Sequence, residues 1–464
     1  MLLTEMSPDV YILNIEGRDG SSSLSCSNRR ILLFLGRALL WRGLFFLPAF
    51  LCLRCICPAG KTAPLHPCDS FAYTTAMNKP LTLLGNRRPE TFLAEYWQKQ
   101  PLLIRDALPG FTSPVSPEEL AGLCCESEVE SRLVLEQAGT APWTVEYGPI
   151  PENRFAELPE THWTLLVQEC NRYVPELAEL REQFNFIPNW RVDDVMASYA
   201  PAQGSVGPHT DQYDVFLIQA HGTRRWQIST DPVPDDNFLP DTDLCIMREF
   251  VATQEWTLHP GDMLYLPPGV AHHGIALEDC ITLSVGFRAP SHAELLNSFA
   301  DHVAAQLTAA QRFSDPMLQL QQHPGEISCD ALTQVRRILQ KMLTDDASIN
   351  RWFGEFITEA KNEYPAENIE TLDEHRFLQA FSTKDRLYRN EQTRFAFIAN
   401  KMTNNNTLFI NGQHFPLPAE LAFAAPLLCD QHQWSYMQLQ RELTQPGFAK
   451  LLTTLYNHAY VYFT

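Results

Sequence analysis

The sequence predicts a mainly β protein with added helices: an antiparallel barrel or jelly roll, then a helical stretch, then a small mixed module. Three observations predict it. Between Ser198 and Ala289, short apolar segments alternate with turns of Gly, Pro and Asp, the mark of an antiparallel barrel and not of a βαβ sheet. After Pro290 the apolar residues fall at helical spacing, with Leu295, Phe299, Val303 and Leu307 on one stripe. Near the end, hairpin signals return among helices, including the Asn411-Gly412 turn.

A chain of 464 residues has room for two or three domains. Its composition is globular, 45% hydrophobic and 19% charged. A formal net charge of −20 argues against a general nucleic-acid binder, which needs a basic face, and suits a basic partner.

Residues 1–76 stand apart. They hold five of the twelve cysteines (Cys26, Cys52, Cys55, Cys57 and Cys68) and an apolar run over 31–53. Arg37 and Arg42 interrupt that run, and each is costly at a bilayer centre. No small-residue cleavage site follows. The expectation is an upstream extension without fold, with translation starting at Met77; a signal-anchor is the alternative. Cys52, Cys55 and Cys57 lack a matching second half, so no metal role is assigned to them.

From Met77 the pattern is orderly. Residues 89–99 read as an amphipathic helix with Phe92, Leu93, Tyr96 and Trp97 on one side, and 101–104 as a strand. Ser116-Pro117-Glu118-Glu119 is a capping box that opens a second helix. Strands are expected at 132–135 and 143–147, a helix at 162–171, and entry into the barrel over 190–200. The barrel walls are 215–219, 225–229, 255–258, 263–266 and 281–287. Cys170, Cys245 and Cys280 are scattered and read as reduced, buried thiols. Ser291-His292-Ala293-Glu294 is another capping box, and helices are expected at 331–343 and 349–361. In the tail, strands at 393–399 and 459–463 and a hairpin at 407–415 mix with helices at 418–428 and 448–456.

The chemistry sits in two stretches of the barrel. Gly204-Ser205-Val206-Gly207-Pro208-His209-Thr210-Asp211 runs into the apolar strand Val215-Phe216-Leu217-Ile218. Residues two apart in an extended chain point the same way, so His209 and Asp211 can reach one ion. A second histidine follows a Pro-Gly-Asp turn, a short strand and the Pro267-Pro268-Gly269 turn. Both His272 and His273 stand there, and spacing does not choose between them. Two histidines and one carboxylate leave positions open on an octahedral metal, the arrangement of non-haem Fe(II) oxygenases. Asp262, in the turn, is read as shaping backbone and not as a ligand. In Arg224-Arg225-Trp226, Arg224 and Trp226 share a face; an arginine turned inward could pair a co-substrate carboxylate through two parallel hydrogen bonds.

The segments PHTDQYDVFLIQ, RRW, PGDMLYLPPGVAHHG and SVGFRAP occur in that order. With them the chain resembles the Jumonji-C (cupin-type) ribosomal oxygenases, nearest their bacterial arginine 3-hydroxylating members, from about Met77 to the C terminus. The resemblance implies a double-stranded β-helix (cupin/jelly-roll) catalytic domain over 77–290. It also implies a helical dimerisation region over 291–365 and a winged-helix-like module over 366–464. Carried over by position, His209, Asp211 and His272 would hold Fe(II), and Arg224 and Ser198 would contact the co-substrate 2-oxoglutarate. Dioxygen would be the oxidant. The implied reaction is hydroxylation of an arginine β-carbon in a large-subunit ribosomal protein (uL16), by a cytoplasmic homodimer. Few Lys or Arg residues lie in the C-terminal module, so it is read as a protein-contact element without DNA binding. Two other readings use the same residues. One is a histidine hydroxylase or lysyl demethylase; the other is a cupin-based ligand-sensing regulator without catalysis, which needs a basic recognition helix not found here.

Overall fold

The structure is a computed structural model describing residues 79–463, except 138–142, 235, 241–243, 362–369, 401, 403 and 404, together with 3–7, 10–13 and 32–34. Leu3–Ser7, Val10–Leu13 and Leu32–Phe34 pair as one antiparallel sheet. The rest of the expected upstream extension, including most of its apolar run and all its cysteines, lies outside the described residues. Residues from Thr75 onward form a separate compact unit. No helix among the described residues is long and apolar enough to cross a membrane.

Eleven strands build the barrel region: β1 (Leu102–Ile104), β2 (Ser131–Glu136), β3 (Trp143–Tyr147), β4 (Trp163–Val167), β5 (Val192–Ala200), β6 (Val215–His221), β7 (Arg224–Ser229), β8 (Gln254–Leu258), β9 (Met263–Leu266), β10 (Ala271–Ala276) and β11 (Cys280–Phe287). Eight of them form one sheet in the order β1-β9-β6-β11-β5-β4-β2-β3, and three form a second, β8-β7-β10. Every pairing is antiparallel. The sheets pack on each other through Val215, Leu217, Leu264 and Leu266 from the large one and Trp226, Ile228 and Leu258 from the small one.

Strand alternation gives the large sheet two different faces. Leu133, Leu165, Val195, Phe216, Tyr265, Leu283 and Phe287 turn outward. There they pack with Phe92, Leu120 and Leu177 of the covering helices Pro89–Glu95, Pro117–Cys124 and Pro175–Glu182. Ser116 and Glu119 close the expected capping box. The alternate residues turn inward and leave a cavity.

The helix expected over 162–171 is corrected: Trp163–Val167 is strand β4, followed by a short 3₁₀ turn at Cys170–Arg172. A short apolar run such as Leu165-Leu166-Val167 suits either state. Tertiary pairing decides, because Leu165 lies between Leu133 of β2 and Tyr199 of β5. Among the scattered cysteines, Cys170 and Cys280 are buried as expected, whereas Cys245 is exposed.

Beyond the barrel, Ser291 caps the helix His292–Gln306 in a full capping box. The helices Cys329–Leu343 and Asp346–Thr358 follow. Gly354 lets the last of these close onto the Phe409 ring, which a β-carbon there would overlap. Strands Phe395–Asn400, Asn405–Ile410 and Gln413–Leu417 form a meander. Its last turn has positive φ at both Asn411 (45°) and Gly412 (77°), as a two-residue type I′ hairpin requires. A second small sheet joins Gln433–Ser435, Arg386–Arg389 and Val461–Phe463. The helix Glu374–Lys384, absent from the sequence expectation, supplies Phe377 and Phe381 to a core with Leu408, Trp434 and Leu452.

Candidate active site

His209 and His272 are joined through their backbones: His209 N donates to His272 O at 3.0 Å and His272 N to His209 O at 2.9 Å. Directly opposed residues in an antiparallel pair send their side chains to one face. The two rings accordingly lie 4.2 Å apart, centroid to centroid. Asp211, two residues along, brings its Oδ2 to 3.7 Å from His272 Nε2. The Pro-Pro-Gly turn is tied to it by a bond of 2.7 Å from Gly269 N to Asp211 O. One ligand atom from each of the three residues lies within 4.8 Å of the others.

Each ring is oriented in the same way. Nδ1 of His209 lies 2.9 Å from Gly207 O, and Nδ1 of His272 lies 3.0 Å from Val270 O. With Nδ1–H donating to those carbonyls, each Nε2 lone pair is bare toward the common centre. Burial, and then the nearness of the His209 ring, pulls the His272 pKa down to about 4, which keeps this ring neutral and able to ligate near pH 7. Two imidazole nitrogens and one carboxylate oxygen fit Fe(II) with open positions. The neighbouring His273 points to the opposite side of β10 and sets its ring edge-on to Phe250. The structure thus brings His272 to His209 and Asp211 and leaves His273 out. Asp262 behaves as the sequence suggests, accepting from the backbone N of His259 and Asp106 and from Arg105.

A cavity of about 450 Å³ opens on the three residues. Met196, Tyr213, Val215, Leu217 and Trp226 wall it, and Glu130, Arg132, Asp193, Asp194 and Lys361 form a charged wall. Sequence reasoning missed Asp194, Met196 and Tyr213. A usable signal existed: Asp194 and Met196 precede Ser198 at two-residue steps, and Tyr213 lies two residues past Asp211. Asp194 is buried and accepts from Glu169 N at 3.0 Å. Burial raises its pKa to about 6, against the pull of Lys361. Its neighbour Asp193 is instead paired, with Lys361 Nζ at 2.7 Å and Arg394 Nη2 at 2.9 Å.

Ser198, Gln219, Arg224 and Thr282 do not line that cavity. They sit one pleat further along strands whose Met196, Leu217, Trp226 and Ser284 do, so they make its closed end. Ser198 Oγ donates to Thr282 O at 3.3 Å, and Thr282 Oγ1 donates to Gln219 Oε1 at 3.2 Å. Arg224 is only 2% exposed, its guanidinium 5.2 Å from the Trp226 ring. Nη2 donates to Gly274 O at 3.2 Å, while Nε has no hydrogen-bond partner among the described residues. Burial lowers its pKa, with no carboxylate contributing. A buried guanidinium without a counter-ion costs several kcal/mol, so this end of the barrel is built for an anion. Gly274 makes the arrangement possible: a β-carbon there would lie 2.7 Å from Arg224 Nε and 2.7 Å from the Trp226 ring. Arg225 points to the other face, as the alternation predicts.

Comparison with known proteins bears on both domains. The JmjC domain model matches residues 179–295, and a ROXA-like winged-helix model matches residues 341–462. The chain is 36% identical over 375 residues to the ribosomal protein uL16 3-hydroxylase of Escherichia coli, covering 80% of this chain and 96% of that protein. It is 36% identical over 280 residues to a probable ribosomal oxygenase of Haemophilus influenzae, covering 59% of this chain and 68% of that one. Among solved structures, E. coli YcfD superimposes with a TM-score of 0.73 at 33% identity, over 81% of this chain and 98% of that one. YcfD in complex with cobalt and 2-oxoglutarate superimposes with a TM-score of 0.70 at 34% identity, over 81% and 97%.

Proposed function

The chain belongs to the ribosomal oxygenases of the JmjC family, and from that premise we propose that it is an Fe(II)- and 2-oxoglutarate-dependent hydroxylase of an arginine β-carbon in ribosomal protein uL16. One observation carries the reading: a single cavity has His209, Asp211 and His272 on one wall and the buried carboxylate of Asp194 on another.

His209, Asp211 and His272 would hold the metal, which when bound would couple the oxidative decarboxylation of 2-oxoglutarate by O₂, to succinate and CO₂, to hydroxylation of a C–H bond. Arg224 pairs with the far carboxylate of 2-oxoglutarate, a charge-assisted contact strengthened by the dry surroundings. Ser198 offers a hydroxyl at the same closed end. Met196, Tyr213, Val215 and Leu217 exclude water and hold the methylene stem of the substrate side chain. Asp194 then receives the guanidinium. A carboxylate in that position favours a permanently charged, planar donor over a neutral imidazole, which supports arginine over histidine.

The deciding assay incubates the protein with ribosomal-protein peptides, iron and 2-oxoglutarate, and maps added oxygen by fragment-ion mass spectrometry. One oxygen on the β-carbon of a uL16 arginine is the expected result. Oxygen on a histidine, or loss of a methyl group from lysine, overturns the arginine assignment.

The protein is further proposed to be a cytoplasmic homodimer. On the helix Cys329–Leu343, Leu332, Val335, Leu339 and Leu343 are between 42% and 58% exposed at helical spacing, a stripe suited to a second copy of the same helix. Leu339→Asp should yield monomers in sedimentation; an unchanged mass would remove this face from the interface. The proposed division remains an extension over 1–76, a catalytic domain over 77–290, a helical region over 291–365 and a C-terminal module over 366–464.

A further inference from the structure

Away from the active site, a second cavity lies where the C-terminal module meets the catalytic domain. Three arginines line it: Arg181, at the end of the helix Pro175–Glu182, and Arg389 and Arg394 of the module. Its other lining residues are Asn189, Trp190, Val192, Ile357, Thr358, Thr393 and Phe395, so no carboxylate faces in.

The charges around it are unevenly satisfied. Arg394 is held from outside the cavity: its Nη2 donates to Asp193 Oδ1 at 2.9 Å and lies 3.8 Å from Glu169 Oε1. Its Nη1 is buried without a partner among the described residues. Arg389 is 8% exposed; its Nη1 donates to Cys429 O at 3.2 Å and its Nη2 lies 3.7 Å from Glu182 Oε1. The Nε of Arg389 is likewise buried and unpaired. Desolvation and then repulsion from Arg389 and Arg394 bring the Arg181 pKa down to about 10, with Glu182 and Asp194 opposing. Converging guanidinium groups with orphaned donors raise the energy of the folded state unless an anion offsets them. The cavity volume is about 10 Å³, room for one water-sized or monatomic species and too little for a whole phosphate.

We propose that Arg181, Arg389 and Arg394 bind one small inorganic anion, chloride or a halide like it, which pins the C-terminal module to the catalytic domain. Arg181 comes from one side of the joint and the other two from the far side. The ion therefore contributes to cohesion between the two parts and not to the chemistry at His209, Asp211 and His272. An anion that binds only the folded joint stabilises it by mass action.

Two measurements on the full chain test this. Crystals soaked in bromide should show an anomalous peak inside the cavity, among the three guanidinium groups; an ordered water there with no bromide signal overturns the proposal. In thermal melts at constant ionic strength, the melting temperature should rise with the logarithm of chloride concentration when chloride replaces gluconate, which is too large to enter. Arg181→Met, which keeps the aliphatic stem and removes the charge, should flatten that dependence. The same slope in wild type and variant, or no slope in wild type, overturns it.

Discussion

The barrel and the C-terminal module use their sheets in opposite ways. In the module, Phe377, Phe381, Leu408, Trp434 and Leu452 fill the interior with apolar side chains. In the barrel, the outward face of the large sheet does this throughout, whereas its inward face packs apolar residues only against the small sheet and otherwise encloses about 450 Å³ of cavity with Asp194, Arg132 and the His209, Asp211, His272 group on its walls. The difference teaches where stability and chemistry are kept. In the large sheet the outward side does most of the packing that a core requires, which leaves part of the inward side free to carry polar groups that packing alone would reject.

The sharpest way to break this comparison is at the proposed metal ligands. His272→Ala should abolish iron-dependent 2-oxoglutarate turnover, with little change in melting temperature, whereas His273→Ala should keep most activity. The reverse pattern would move the third ligand by one residue. Next in size is a core deletion in the module. Phe377→Ala should cost about 3–5 kcal/mol in denaturant unfolding, yet leave kcat close to wild type at a temperature where the variant stays folded. A matching loss of kcat would show that the module takes part in the chemistry.

Arg224→Ala should raise the 2-oxoglutarate KM by about tenfold to a hundredfold, the worth of a lost hydrogen-bonded ion pair, without weakening metal affinity. Lysine at that position should recover part of it. Unchanged co-substrate affinity would point to Arg225 or another cation. A smaller effect is expected at Asp194, whose pKa stands at about 6 because burial disfavours its charge. A raised carboxyl pKa means the group takes up a proton as pH falls through that value, so affinity for a guanidinium substrate should decline below about pH 6 and be steady above it. Asp194→Asn should weaken substrate binding and remove that pH step. A step that persisted in the asparagine variant would belong to another group. The smallest effect is expected from a start at Met77, which should melt and turn over like the full chain; loss of solubility or activity would give the upstream residues a structural role.

Much of the site was legible because its parts are local. His209 and Asp211 are two residues apart, and Arg224 and Trp226 are two residues apart, so strand periodicity placed each pair on a face without any long-range information. The turn chemistry of Pro267-Pro268-Gly269 and Asn411-Gly412 was readable for the same reason. Strand β4 was misread because Thr-Leu-Leu-Val carries no period of its own, and its state depends on β2 and β5 being in place on either side. Asp194 escaped notice because it stands beside a second acid, Asp193, and only its two-residue steps to Met196 and Ser198 separate the two.

By itself, then, the sequence determined the fold class, the order of most of the elements, the residue types at the proposed metal centre and the boundary at which strand periodicity gives way to helical periodicity. Only the tertiary structure separates His272 from His273 by placing the first beside His209 and Asp211. Both satisfy the motif, but the reciprocal backbone pair with His209 turns His272 inward and sends its neighbour toward Phe250. It also decided that Arg224 is buried without a counter-ion among the described residues, that Gly274 leaves it room, and that Arg181 meets Arg389 and Arg394 across more than 200 positions of chain. Those facts depend on which distant strands and helices meet, and that is set by the packing of the whole chain and not by any local pattern along it.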